Sequence, residues 1–143
     1  MKNLLILITL AISCISANAQ NNIFGKWKTV DDVTGEVKSV VEIYKESGKA
    51  YGKIIDITDP EEKDSVCDKC DEDDPRKGKK IMGMIIITGL EQDGKKWDDG
   101  KILDPENGKV YSCKIWVEDG KLYVRGYIGI SLVGRSQTWL PAQ

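Results

Sequence analysis

The chain has 143 residues, enough for one domain, with a formal net charge of −2 and no histidine. The missing imidazole excludes Ser-His-Asp and Cys-His nucleophile pairs, a histidine general base and histidine metal ligands. The lysines are scattered among acids, which excludes a basic nucleic-acid patch, and no nucleic-acid partner is expected.

The first segment, MKNLLILITLAISCISANAQ, reads as a leader rather than as part of the fold. Lys2 supplies the positive start, an apolar stretch runs from Leu4 to about Ile15, and Ala17-Asn18-Ala19 fits the small-x-small cleavage rule. Residues 1–19 are therefore expected to be a secretory signal, with residues 20–143 as one β-barrel domain. A lipoprotein signal at Cys14 is the minor alternative, because Ala11-Ile12-Ser13 is a poor version of that site. Later runs all fall short of the roughly 18 apolar residues of a spanning helix, so no transmembrane segment is expected. The expected place of action is the periplasm or the outside of the cell.

After the leader, strand-sized runs recur between turn signals. Ile23 to Val30 comes first, then Glu36 to Lys45 and Ala50 to Thr58. An acidic, cysteine-bearing loop covers Asp59 to Lys79, with room for one short helical piece. The runs resume at Lys80 to Leu90, Lys96 to Leu103, Val110 to Val117, Leu122 to Ile130 and Gly134 to Pro141. Asp93-Gly94, Asn107-Gly108 and Asp119-Gly120 are hairpin signals, since such turns need positive φ. Eight short strands with tight turns predict an all-β, eight-stranded antiparallel up-and-down barrel with one long acidic loop. Closing the meander removes its two edges. TGEVKSVVEIYKESGKAYGKII also resembles NGKVYSCKIWVEDGKLYVRGYI, although any two hairpins share such a pattern.

Alternation assigns faces. Val37, Val41 and Ile43 are expected inside, as are Tyr111, Cys113, Ile115 and Val117. Leu122, Val124, Ile128 and Ile130 join them, which puts Tyr123, Arg125 and Tyr127 on the opposite face. Those three become a polar recognition set for a ligand if the assignment is reversed. Lys80 to Leu90 is apolar on both faces, with Ile81, Ile85 and Ile87 one way and Met82, Met84 and Ile86 the other. Its second face must lie under the acidic loop or a short helix, or form a contact surface.

Gly25-Lys26-Trp27 opens the first run, and Asp104-Pro105 to Gly108, Tyr111, VRGYIG and SLVGRSQTW follow near the end. With these pieces the chain resembles the bacterial domain of unknown function 2147 family, over nearly its whole length beyond the leader. The resemblance implies an exported single-domain protein with a lipocalin-like barrel. It implies no activity and no catalytic residues. Arg135 and Trp139 match the family's end motif. In the lipocalin-like superfamily the Gly-x-Trp is packed by an arginine from the end of the barrel. Trp27, Arg135 and Trp139 are thus expected to pack a barrel end, with Arg135 stacked on the Trp27 ring.

Cys67 and Cys70 have the spacing of zinc ligands, but a full site would need Cys113 and a carboxylate. Redox chemistry needs a stabilised thiolate, and the neighbours Asp64, Asp68, Asp71, Glu72, Asp73 and Asp74 oppose one. A Cys67–Cys70 disulfide fits best in an exported chain, with Cys113 left as a buried thiol. Pairing of Cys113 with Cys67 or Cys70 is the main variant. So short a ring removes little loop entropy, under about 3 kcal/mol, and pins the loop locally. The acids lack the Asp-x-Asp-x-Asp-Gly order of a calcium loop, so no metal and no cofactor are expected. The leading expectation is a non-enzymatic binding protein for a small apolar or amphipathic ligand. The alternatives are a cell-envelope interaction protein using residues 80–90 and, third, a carboxylate-based enzyme.

Overall fold

The computed structural model describes residues 22–130 and 132–143. The expected leader and Cys14 lie outside them. Eight strands run in order: β1 (Gly25–Val30), β2 (Val37–Glu46), β3 (Lys49–Ile57), β4 (Ile85–Asp93), β5 (Lys96–Asp104), β6 (Lys109–Glu118), β7 (Lys121–Tyr127) and β8 (Gly134–Pro141). Each pairs antiparallel with the next, and β8 returns to β1, so the sheet closes into an up-and-down barrel.

Local chemistry explains the meander. Asp119 (φ 52°) and Gly120 (φ 72°) both sit in the left-handed region and join Glu118 to Lys121 across a two-residue turn. Two positive φ values match the right-handed twist of the strands they connect, so such a turn directs β7 straight back along β6. Ser47 and Gly48 make the same turn between β2 and β3. These are the two hairpins whose sequences resemble each other.

Alternation then builds the core. Val41, Ile43, Cys113, Ile115, Leu122 and Val124 are all buried, as their phase predicts. Two runs depart from expectation. Lys80 to Leu90 is not one strand: the Met84 amide donates to Ile81 O in a turn, and β4 starts only at Ile85. Ile85 faces Lys53 and Ile87 faces Gly52, which makes Ile86 an extra, bulged residue. The bulge breaks the expected phase, so Ile86 and Ile87 are both buried while Ile85 is exposed. Met84 belongs to the core, with Ile81 and Met82 packed against it. The second run stops early. β7 ends at Tyr127, and Ile128 and Ile130, expected inside, are exposed in the connection to β8.

The acidic segment between β3 and β4 is a folded cover. Its one helical turn is 3-10, Pro60–Glu62, capped by the Asp59 carboxylate, which accepts from the Glu61 amide at 2.9 Å. Cys67 and Cys70 are joined in a disulfide with a Cα–Cα distance of 5.4 Å, and both are buried in the core cluster. The Cys67 amide donates to Lys79 O and Gly78 donates back to Cys67 O, each at 2.9 Å, so the segment doubles on itself. Arg76 grips the Asp74 carboxylate through Nε (2.9 Å) and Nη2 (2.7 Å) and donates from Nη1 to Ile85 O on β4. Gly108, in the β5–β6 turn, receives the other side of the cover. A Cβ there would stand 1.8 Å from Lys69 O, so only glycine lets the two backbones meet.

Cys113 is free and buried, and burial pushes its thiol far above the ordinary range. Among the cysteines beyond the leader, none should react with a thiol reagent in the native protein, and one should react after unfolding without reductant. Two further thiols should appear only after reduction. Asp74 is held at a pKa of about 2, chiefly by the Arg76 guanidinium. Its folded value lies below its unfolded one, so its contribution is full above roughly pH 4 and is lost as pH falls through about 2. Asp74→Asn should therefore cost on the order of 1 kcal/mol in urea unfolding at neutral pH, a difference that disappears near pH 2.

Candidate functional site

The two ends of the barrel are built differently. One carries the β2–β3, β4–β5 and β6–β7 turns and is filled. Ile23 and Phe24 fold in ahead of β1, and the Phe24 ring meets Trp97 edge-on at 5.4 Å. Trp27 is buried and donates its indole N–H to Ile23 O at 2.8 Å. Leu90 and Leu122 complete the packed core with no exposed surface.

The other end is open. The β1–β2, β5–β6 and β7–β8 connections surround a cavity of about 440 Å³. Ile54, Ile86, Ile102, Val124 and Trp139 form its apolar wall. A polar belt is built from hydroxyls and two amides. Thr29 Oγ1 and Ser39 Oγ lie 2.8 Å apart, paired across β1 and β2. Gln137 Oε1 accepts the Trp139 indole N–H at 3.0 Å, and the Tyr111 hydroxyl accepts from Asn107 Nδ2 at 3.0 Å. The rim carries Asp31, Lys38, Asp104, Glu106 and Arg135, beside the aliphatic Ile128 and Val133.

One wall of this cavity is thin. β1 and β8 pair only at Trp27 with Pro141 and Lys28 with Leu140. Thr29 and Val30, one step nearer the mouth, have no partner on β8 and line the cavity instead. Above this seam, Arg135 on β8 donates from Nε and Nη2 to the Asp32 carboxylate in the β1–β2 turn. That partner holds the Arg135 pKa above its ordinary value, and Asp31 and Asp104 add to the effect. Asp31 accepts the backbone N–H groups of Thr34 (2.9 Å) and Val33 (2.8 Å), which hold its carboxyl below the usual range.

Of the sequence-predicted residues, Trp27 lies in the filled end and the others stand elsewhere. Arg135 does not stack on Trp27: it stands at the mouth, at the opposite end of the barrel, because β8 begins there, and its guanidinium is taken by Asp32. Trp139 lies deeper on the same strand, buried in the cavity wall. Tyr123, Arg125 and Tyr127 do not form a lumenal set, because Leu122 and Val124 take the inner face of β7. Tyr123 stacks on Trp116 at 5.4 Å, and Arg125 donates to Ser136 Oγ at 3.1 Å. The Tyr127 ring borders the cavity, but its hydroxyl donates to Asp98 at 3.0 Å, and burial with that carboxylate raises its pKa. The polar belt escaped the sequence reading. Its signal was present: Ser39 is in phase with Val37 and Val41, and Gln137 with Trp139, so each is a polar residue on an inward face.

The family model "Uncharacterized protein conserved in bacteria (DUF2147)" matches residues 25–140. Among solved structures, the chain is similar to the Helicobacter pylori protein HP1028, described as belonging to the lipocalin family. The TM-score is 0.75 at 20% identity, over 87% of this chain and 85% of that one. No curated protein matches in sequence.

The two end-motif residues should separate in a stability test. Trp139→Ala removes a buried ring and should cost about 3–5 kcal/mol in urea unfolding. Arg135→Met removes a solvent-facing ion pair and should leave the unfolding midpoint nearly unchanged. A large loss from Arg135→Met would restore it as a packing residue.

Proposed function

The chain belongs to the DUF2147 family of bacterial proteins, and from that premise we propose that it is a non-enzymatic binding protein holding one small amphipathic ligand in the mouth of its barrel. The observation that carries this reading is the cavity of about 440 Å³, apolar below and polar at the rim. Its size falls within the roughly 300–1,000 Å³ of small-molecule sites, and its few convergent polar groups suit them too. A small barrel closed at one end and open at the other is a common way to hold one such ligand. The leader-like first 19 residues and the Cys67–Cys70 disulfide support export to an oxidising compartment.

The burial of Met84 and Ile86 counts against an interaction surface on residues 80–90, since the apolar side chains that motivated it serve the protein's own core. The rim does gather Asp31, Asp104 and Glu106 near Arg135 and Tyr111. Acid–base catalysis would need one carboxyl with a raised pKa, and Asp31 is shifted the other way.

An uncharged, polarity-sensitive naphthalene dye tests the proposal. Its fluorescence should rise and saturate at one dye per barrel. Val124→Trp places a large ring on the cavity wall and should weaken binding by at least about tenfold while the β-sheet circular dichroism is retained. Equal binding by the variant, or no saturable binding by either protein, would contradict the reading.

A further inference from the structure

The rim of the cavity is charged, and its charge is unbalanced. Lys38 lies 4.0 Å from the Glu36 carboxylate, and Arg135 is gripped by Asp32. Arg135 is therefore already met by an acid, while Lys38 only reaches the edge of ion-pair distance. Asp31, Asp104 and Glu106 remain, and among the described residues none of the three has a lysine or arginine nitrogen at salt-bridge distance. Asp31 is fixed in place by the Val33 and Thr34 amides, and Asp104 accepts the Glu106 amide at 2.9 Å. The Asp31 and Asp104 carboxylates are thus held by backbone amides.

The surroundings reinforce the sign. The cover between β3 and β4 carries nine acids against six bases and meets the β5–β6 turn at Gly108, beside this rim. The turns at the filled end hold four acids (Glu46, Asp93, Glu118, Asp119) and four lysines (Lys49, Lys95, Lys96, Lys121), whereas the β1–β2 and β5–β6 turns with Arg135 hold five acids (Asp31, Asp32, Glu36, Asp104, Glu106) and three bases (Lys38, Lys109, Arg135). A cleft lined by one sign of charge and walled by low-dielectric protein concentrates the field and the matching counter-ion. Apolar groups flank the same opening. Ile128, Ile130, Leu132 and Val133 are exposed in the β7–β8 connection, and Val33 is exposed in the β1–β2 turn.

We infer that the ligand is a cationic amphiphile, with an apolar body against Ile54, Ile86, Ile102 and Val124 and a positively charged end at Asp31, Asp104 and Glu106. This rests on the reading of the cavity as a binding site. It assigns the chemical class of the occupant and sets fatty acids aside, since their carboxylates would enter a rim where acids outnumber cations and Arg135 is already paired with Asp32.

Three amphiphiles of one chain length test it: dodecyltrimethylammonium, lauroylglycerol and laurate. Each is used below its micelle concentration to displace the uncharged dye at neutral pH and low salt. The ammonium compound should displace at the lowest concentration and laurate at the highest, with at least about tenfold between them. High salt should narrow that gap, because the rim is solvent-exposed. The double variant Asp104→Asn, Glu106→Gln should weaken the ammonium compound, strengthen laurate and leave lauroylglycerol unchanged. Laurate binding as well as or better than the ammonium compound, or a ranking the double variant does not move, overturns the inference while the dye still reports an occupied cavity. Failure of the dye itself to bind overturns the binding reading and this inference with it.

Discussion

Closing eight strands into a ring fixes a narrow interior, and each strand can send only alternate residues into it. That constraint governs the rest of the molecule. Where the inward positions are Ile43, Ala50, Leu90, Ile115 and Leu122, the interior is full. Toward the other end they become Thr29, Ser39, Tyr111, Gly126 and Gln137, and the interior opens. The cavity results from which inward residues stand in each layer of the barrel, without any separate element.

The β3–β4 cover follows from the same geometry. A bulge at Ile86 turns two successive residues of β4 inward. The residues before it, Ile81 to Met84, remain apolar and need shelter. The disulfide, the Arg76–Asp74 pair and the Gly108 contact fold the acidic segment there. Its disulfide is buried in the core, and its carboxylates other than Asp74 face solvent. The same segment thus buries apolar surface and contributes charge beside the mouth.

Much of this fold was legible in the residues. Eight runs, three Asx-Gly turn signals and the period-two faces of β2, β6 and β7 pointed to the barrel, and the family resemblance pointed the same way. The site was harder to read for two physical reasons. A bulge changes phase without any sequence punctuation, so Ile85, Ile86 and Ile87 look equivalent in the chain. An end-to-end pairing such as Arg135 with Trp27 depends on which end of β8 an arginine occupies, and register is set only once the ring closes. The cysteines were readable because chemistry, not geometry, decided them: acids around Cys67 and Cys70 disfavour a thiolate and leave the disulfide. The inward polar residues were readable in principle, as misfits on apolar faces.

The two ends of the barrel have separable roles. The filled end, with Trp27, Phe24 and Trp97, supplies stability. The open end, walled by Trp139 and thinned at the β1–β8 seam, holds the cavity in which we propose that a ligand sits. Titration of isotope-labelled protein with dodecyltrimethylammonium, followed by methyl and indole NMR, tests that division most directly. Ile54, Ile86, Ile102, Val124 and the Trp139 indole should shift together and saturate, while Trp27 and the outward Trp116 stay still. Shifts confined to Trp116 and the outer wall, or none at the cavity methyls, would contradict it.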